Sequence, residues 1–191
     1  MHSTIKKYEN FIPSIEERSA KPILTTLVRF TFAASLLIYF WASALTKHGD
    51  GPLGLIQPAL GAYAQIFPRA MAAAGFDVGA LAPWQHAVVI AGTWAEFLLP
   101  ALLLIGLATR LAALGMIGFV LVQTATDLIG HGALSDPVTL GAWFDRMPDA
   151  AILDQRLIWV TLLAVPALLG GGPLSVDGWL QRRRAAYSRA A

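Results

Sequence analysis

Four stretches of the sequence are almost entirely apolar, and each is bounded by charged residues or by proline and glycine. They cover residues 27–45, 87–107, 111–129 and 157–169. About 20 helical residues are needed to cross the hydrocarbon core of a bilayer. The pattern therefore predicts an all-α integral membrane protein, a four-helix bundle with spans at about 27–46, 86–107, 111–130 and 156–173. Because the fourth stretch is short, we expect its helix to continue into the glycine-rich residues that follow, although the alternative is that these glycines end the helix and Pro173 blocks its continuation.

The segments outside the spans predict short interfacial helices. Residues 1–26 form an N-terminal segment in which 5–19 favour an interfacial helix interrupted at Pro13, and 27–174 form the membrane domain. In the long first loop, apolar residues favour a helix over about 60–74, on the membrane surface or over the bundle mouth, broken at Pro68. In the basic tail, 175–191, Ser175 and Asp177 offer N-capping groups to a short helix.

The charged residues predict the orientation of the chain. Hydrophobic residues make up 56% of the sequence and charged residues 14%, with a mean hydropathy of +0.59. With four spans, both termini lie on one side, and that side holds most of the 14 basic residues, namely Lys6, Lys7, Arg18, Lys21, Arg29, Arg110, Arg182, Arg183, Arg184 and Arg189. The positive-inside rule then places both termini in the cytoplasm and the chain, as a multi-pass protein, in a bacterial inner membrane.

Composition also excludes several kinds of chemistry. The chain has no cysteine, which rules out disulfides, thiolate catalysis, cysteine-ligated iron–sulfur clusters and covalent c-type haem. The basic residues do not form a nucleic-acid patch, so we expect no nucleic-acid partner. The bilayer itself is the first partner that the sequence predicts.

Glu96 is the most informative single residue, because it lies near the middle of the second predicted span. An acidic group at that depth costs about 2.5–3.5 kcal/mol to insert, so it must be protonated, paired or turned toward an internal cavity. It is then either a packing group that bonds to a neighbouring helix or a carboxylate that handles protons or binds a ligand. Arg29, near the start of the first span, has a simple interpretation as a residue that snorkels to lipid phosphate.

A second group of polar residues falls at the outer ends of the predicted helices. Asp127 precedes His131 by one turn and shares its helix face. If the bundle is compact, the polar residues at the outer helix ends converge at the outer mouth of the bundle, where they could bind a quinone head group or a metal. The candidates for a metal are His48, His86 and His131, and those for an organic ligand are Arg29, Lys47, His86, His131 and Arg156. Without an H-x-x-x-H motif, a metal is less expected than an organic ligand. The simpler alternative is that interfacial positions tolerate polar residues.

Three segments in order resemble the DoxX family of small four-helix bacterial membrane proteins. Residues 27–47 resemble its first helix, with Arg29 near the start and Lys47 at the outer end. Residues 95–110 resemble its second helix, with Glu96 and a Gly-Leu-x-Thr-Arg turn that ends at Arg110. Residues 172–177 resemble its Gly-Pro-Gly-x-x-Ser-Leu-Asp signature, ending at Asp177 with one residue missing.

The resemblance implies an inner-membrane protein associated with redox proteins, since members of the family are linked to thiosulfate:quinone oxidoreduction and to oxidoreductase complexes that manage oxidative stress. It marks Arg29, Lys47, Glu96, Arg110 and Asp177 as family positions. The outer segment 144–156 is longer than in compact members.

Two functions remain open at this point. In the first, the protein is a quinone-linked redox component or a stand-alone quinone-dependent oxidoreductase, with Glu96 and Asp127 as catalytic groups. In the second, it is a non-enzymatic accessory subunit that docks a membrane or periplasmic redox protein through its outer loops, and Glu96 and Arg29 are packing groups. A small-molecule transporter is a weaker third possibility, because four helices are few for alternating access.

Overall fold

A computed structural model describes residues 19–51 and 53–190, and this part of the chain is helical without strands. The interfacial helix predicted within residues 5–19 lies almost wholly outside the described residues. Three helices are long and apolar enough to cross a membrane, and we label them α1 (Lys21–Lys47), α4 (Pro83–Ile105) and α5 (Thr109–Gly130). The finding indicates a membrane protein.

The remaining helices are shorter. Two of them follow α1, namely α2 (Leu60–Ile66) and α3 (Pro68–Ala73). The helix is interrupted between them, and α3 begins at Pro68. A four-residue helix, α6 (Pro137–Leu140), lies in the second loop. Helix α7 (Leu153–Leu169) corresponds to the fourth apolar stretch, and α8 (Val176–Ala190) forms the tail.

Helix α7 ends earlier than the sequence suggested. The expected continuation to residue 173 does not form, because Gly170 and Gly172 take φ angles of 81° and 75°. These angles lie outside the right-handed helical region and are open mainly to glycine. The 17 residues of α7 span about 25 Å.

The long helices pack around a shared apolar core. Helix α1 contacts α4 and α7, and α5 also contacts α4 and α7. The core side chains are buried and come from all four helices: Phe32, Leu36, Phe40, Leu103, Ala112, Ala113, Met116, Val120 and Leu163. A second core joins α2 and α3 to the start of α4 through Tyr63, Met71 and Val89. The loop segment 60–74, which was predicted to lie on the membrane surface or over the bundle mouth, thus packs against the start of α4.

The outward faces of the long helices remain apolar. In each of α1, α4 and α5, less than a third of an apolar stretch of 18 residues is buried inside the protein. Large side chains are exposed on every long helix, among them Phe30, Ile38, Leu104, Leu121, Ile158 and Leu168. Such a continuous apolar exterior is the surface that lipid tails would cover.

Candidate functional site

A cavity of about 360 Å³ lies between α1, α4 and α5, with α2 at one end. Its volume is within the usual range for a small-molecule site. Most of its wall is apolar or made of small residues, and its polar side chains are those of Ser43, Lys47, Gln65, Glu96, Gln123, Thr126 and Asp127. A predominantly apolar cavity with few polar groups is typical of a site for a lipophilic molecule with a polar head.

An ion pair between α1 and α4 forms part of this wall. Lys47 Nζ lies 2.8 Å from Oε2 and 3.0 Å from Oε1 of Glu96, and both side chains are at least 95% buried. Ser43, one turn before Lys47, accepts a hydrogen bond from the same ammonium at 2.8 Å and donates to Glu96 Oε1 at 3.2 Å. Glu96 is therefore paired in the membrane span, as a carboxylate at that depth requires.

A second ion pair stands beside the cavity. Arg156, on α7, donates through Nη2 to Asp127, whose side chain lines the cavity from α5. One turn earlier, Gln123 donates to the hydroxyl of Tyr39 at 3.0 Å. Among the described residues, Oε1 of Gln123 and the Nε and Nη1 atoms of Arg156 have no hydrogen-bond partner. Buried polar atoms of this kind normally bind another group, so Gln123 can accept a further hydrogen bond and Arg156 can donate further ones.

The two pairs balance the charge of the site. Lys47 neutralises Glu96 and Arg156 neutralises Asp127. A charged ligand would have to separate one of these pairs or enter a low-dielectric region without a counter-ion. The arrangement therefore suits a neutral molecule that forms hydrogen bonds.

Small residues on α4 and α5 create the space. Gly92, Ala95, Gly115 and Gly118 line the cavity. A Cβ atom added at Gly118 would meet no heavy atom within 4 Å, whereas one added at Gly115 would lie 3.1 Å from Leu99. The wall near Gly118 is thus open enough to hold part of a ligand.

Arg29 lies outside this cavity, at the opposite end of α1, and its described contacts are structural. Its guanidinium is buried and donates to the backbone oxygens of Leu103 and Leu104 on α4 and of Gly171 and Leu174 after α7. The expectation that Arg29 snorkels to lipid phosphate is wrong, because its guanidinium turns inward and binds carbonyl groups of the helix ends. As a ligand-binding candidate it also stands apart from the cavity.

Asp177 caps a helix other than its own. Its carboxylate accepts hydrogen bonds from the backbone N–H of Ala108 and from the N–H and Oγ1 of Thr109, at 2.7–2.9 Å. These groups belong to the first turn of α5. Burial opposes its ionisation, but these hydrogen bonds and the charge of Arg29 outweigh that effect and lower the pKa of Asp177. Ser175 caps α8 as expected, accepting from Gly178 N–H at 3.0 Å.

The three histidines predicted at the outer helix ends have separate surroundings. His86 shares a 3.0 Å hydrogen bond with the hydroxyl of Tyr63, and His131 Nε2 lies 2.9 Å from the backbone oxygen of Gln65. His48 follows the end of α1. Within residues 19–51 and 53–190, no group of three or more histidine and acidic side chains could hold a metal ion. Burial raises the pKa of the Tyr63 hydroxyl.

Apart from the three histidines, the predicted site residues fall into two groups. Lys47, Glu96 and Asp127 line one cavity, and Arg156 supports Asp127. Arg29 and Asp177 act at the other end of the helices, next to the turn that carries Arg110. Sequence reasoning missed Ser43 and Gln123, although each precedes a predicted residue by one helical turn, and that spacing could have revealed them.

Comparison with known protein families, curated proteins and solved structures finds no match to this chain.

Proposed function

We propose that the chain is a DoxX-like, four-helix protein of the bacterial inner membrane, with both termini in the cytoplasm, in which α7 is the fourth span. The apolar exterior of α7, including Ile158 and Leu168, supports this, as does its packing against α1 and α5. Its 17 residues are within the range that can span a membrane. The excess of basic residues toward the two termini supports the orientation.

In this proposal the protein binds a neutral lipophilic molecule of the quinone class and works as a subunit associated with redox complexes. The observation that carries the proposal is the apolar cavity with the buried Lys47–Glu96 pair in its wall. A quinone fits the donor set because it is uncharged, has carbonyl oxygens that accept hydrogen bonds, and reaches the site through the lipid. The cavity residues fit the oxidised and reduced forms, since both donors and acceptors are present.

The roles of the residues follow from their bonding capacity. The Lys47 ammonium and the Ser43 hydroxyl already donate to Ser43 and Glu96 within the site, so a carbonyl oxygen of the ligand would take over one of these hydrogen bonds. Gln123 Oε1 accepts from a hydroxyl group, and Glu96 and Asp127 hold or release protons close to the ligand. A bound quinone would supply two-electron, two-proton chemistry. The absence of cysteine excludes a cysteine-ligated iron–sulfur cluster and covalent c-type haem, and we propose that a partner protein supplies the electrons to a subunit of this kind.

Filling the cavity tests this proposal directly. Gly118→Leu adds a side chain where the wall is open, and Gly61→Leu is its matched control, because a Cβ at Gly61 also meets nothing within 4 Å but lies on α2 outside the cavity wall. We expect the protein in mild detergent to bind a short-tailed benzoquinone in titration calorimetry. Gly118→Leu should weaken binding at least tenfold and Gly61→Leu less than twofold. Equal binding by both variants, or none by the unaltered protein, would overturn the proposal.

A specific observation also favours the accessory role on the outer side. In the second loop, Trp143, Phe144 and Met147 are all more than half exposed, and Phe144 has a φ of 66°. A positive φ is costly for a bulky residue. The backbone of this loop is therefore strained at Phe144, where the aromatic side chain is exposed. We propose this group as the docking surface for the redox partner.

Native purification of two variants tests that role. Phe144→Ser with Met147→Ser should remove a co-purifying redox protein while quinone binding persists. Val138→Ser with Leu134→Ser, which are also more than half exposed in the same loop, is the matched control and should retain the partner. Retention of the partner by the first variant would contradict this docking surface.

A further inference from the structure

A second and larger cavity, of about 750 Å³, lies at the end of the helices opposite the Lys47–Glu96 pair. Its walls come from the start of α1, the first turn of α5, the loop after α7 and the first turns of α8. Basic side chains reach it from three of these elements, namely Lys21 from α1, Arg110 from α5 and Arg182 from α8. Their positions along the chain are far apart, so only the fold assembles them.

The charge of this cavity is strongly positive among the described residues. Asp177 is the acidic residue in its wall. Its oxygens already accept the hydrogen bonds from Ala108 and Thr109, and its charge faces Arg29. The cationic groups of Lys21, Arg110 and Arg182 are thus opposed by one carboxylate that is already bonded. An anion entering the cavity would gain electrostatic stabilisation from several directions.

The backbone of the loop after α7 forms part of the cavity wall. Gly170, Gly171 and Gly172 form this part, and Arg29 fixes Gly171 from behind by donating to its oxygen at 3.0 Å. A Cβ at Gly170 would lie 3.6 Å from Nε of Arg110, so the guanidinium extends over the loop. Arg182 donates to the oxygen of Pro173 at 3.0 Å, which holds α8 beside the loop.

Apolar side chains continue the cavity toward the outside of the helices. Leu111 and Leu169 belong to its wall, and Leu111 is 72% exposed. The helix termini that surround the cavity are also where lipid head groups would lie around a membrane protein. A ligand with a phosphate and an attached apolar body would satisfy both parts of the wall.

We propose that this cavity binds the phosphate of an anionic phosphate ester, with Arg110 and Arg182 as the principal ligands and Lys21 as a third cation. Guanidinium groups bind phosphate through paired N–H donors, which a mobile lysine cannot reproduce as well. The same chemistry has two sources, the head group of an anionic phospholipid or a soluble phosphate ester. The site is separate from the cavity assigned to the quinone.

The test compares two variants that lose the same charge. Arg110→Gln with Arg182→Gln removes two cavity ligands, whereas Arg184→Gln with Arg189→Gln removes two arginines of α8 that lie outside the cavity wall. Delipidated protein in mild detergent is titrated with phosphatidylglycerol and with phosphatidylcholine, and bound lipid is counted by native mass spectrometry. We expect one saturable phosphatidylglycerol per chain, at least tenfold weaker binding in the first variant and less than a threefold change in the second.

Further arms identify the source of the phosphate and exclude a folding artefact. Competition by millimolar glycerol phosphate would assign the site to soluble esters, and its failure to compete would assign it to lipid. Size-exclusion profile and melting temperature must match between the variants, and Arg110→Lys with Arg182→Lys should recover part of the affinity if charge at these positions matters. Equal weakening by both charge-removing variants, or equal binding of phosphatidylcholine, would overturn the proposal.

Discussion

Lys47 Nζ lies 2.8 Å from Oε2 of Glu96, although the two residues are 49 positions apart in the chain. The pair joins the end of α1 to the middle of α4, and its side chains are almost completely buried. A pair in such a position can serve packing, ligand binding or both. The sequence alone left these roles open, and a comparison of single and double substitutions separates them.

The first prediction concerns the stability of this pair. Glu96→Gln leaves the Lys47 ammonium buried without a counter-ion, and we expect it to lower the free energy of unfolding by about 3–5 kcal/mol. Lys47→Met with Glu96→Leu removes both charges and should recover most of that loss, because apolar groups of similar size can replace a buried ion pair. Unfolding in detergent, followed by circular dichroism, measures both.

Quinone binding by the same double variant then shows whether the pair has more than a packing role. We expect the double variant to fold and to bind a short-tailed benzoquinone at least tenfold more weakly. Normal binding by this folded variant would reduce the pair to a packing contact and leave the proposed ligand role without support.

The second prediction concerns Asp177 and pH. Because its pKa is lowered in the folded protein from the ordinary value of 3.8, its stabilising effect is complete above that value and is lost as the pH falls through the lower folded pKa. Asp177→Asn should lower stability by about 1 kcal/mol at neutral pH, because both carboxylate oxygens accept hydrogen bonds and the amide nitrogen of asparagine cannot. The melting temperatures of the unaltered protein and of Asp177→Asn, measured between pH 2 and 7, should therefore differ mainly near neutral pH. A constant difference down to pH 2 would contradict the assignment.

The third prediction concerns Arg29. Arg29→Met leaves four backbone oxygens, at the end of α4 and in the loop after α7, without their donor, and we expect a loss of more than about 3 kcal/mol in the free energy of unfolding. Arg29→Lys should recover only part of it, because an ammonium cannot reproduce the spread of the guanidinium donors. Arg184→Met, on the exposed side of α8, is the control and should change stability by less than about 0.5 kcal/mol. Equal effects of Arg29→Met and Arg184→Met would show that these carbonyl contacts do not hold the helix ends.

The fourth prediction concerns the number of spans. Since the chain has no cysteine, a single cysteine at Ser3 or Ser188 gives a clean site for a membrane-impermeant maleimide in intact cells and in inverted vesicles. Four spans place both positions on the cytoplasmic side, so both should react only in inverted vesicles. Reaction of the two from opposite sides would show three spans and exclude α7 as a membrane crossing.

Several features of the fold were predictable because they depend on local sequence. The break at Pro68 follows from the missing backbone N–H of proline and its ring, and the cap at Ser175 follows from its short polar side chain. The end of α7 at Leu169 was misjudged for a related reason. The apolar pattern continues past that residue, but the φ angles of Gly170 and Gly172 stop the helix.

The candidate site was predictable only in part. Glu96 stood out because a carboxylate in an apolar helix needs a partner, but that requirement does not name the partner. Asp177 was expected to cap its own helix, and it instead caps α5 through Thr109. Arg29 was expected to reach outward, and it turns inward to the ends of α4 and α7. In each case the sequence indicated that the side chain needs a partner. Which group is the partner depends on which helices meet in the fold.

The sequence by itself determined that the chain is helical and suited to a membrane, because hydropathy and helical length are properties of contiguous residues. It also marked Glu96 as a residue that needs a partner, because an unpaired charge within an apolar helix is costly in any packing of the helices. Only the tertiary structure decided that Lys47 pairs with Glu96 and Arg156 with Asp127, and that both pairs meet at one cavity. These pairings depend on the rotation and the relative height of neighbouring helices, which are set by packing between residues far apart in the chain.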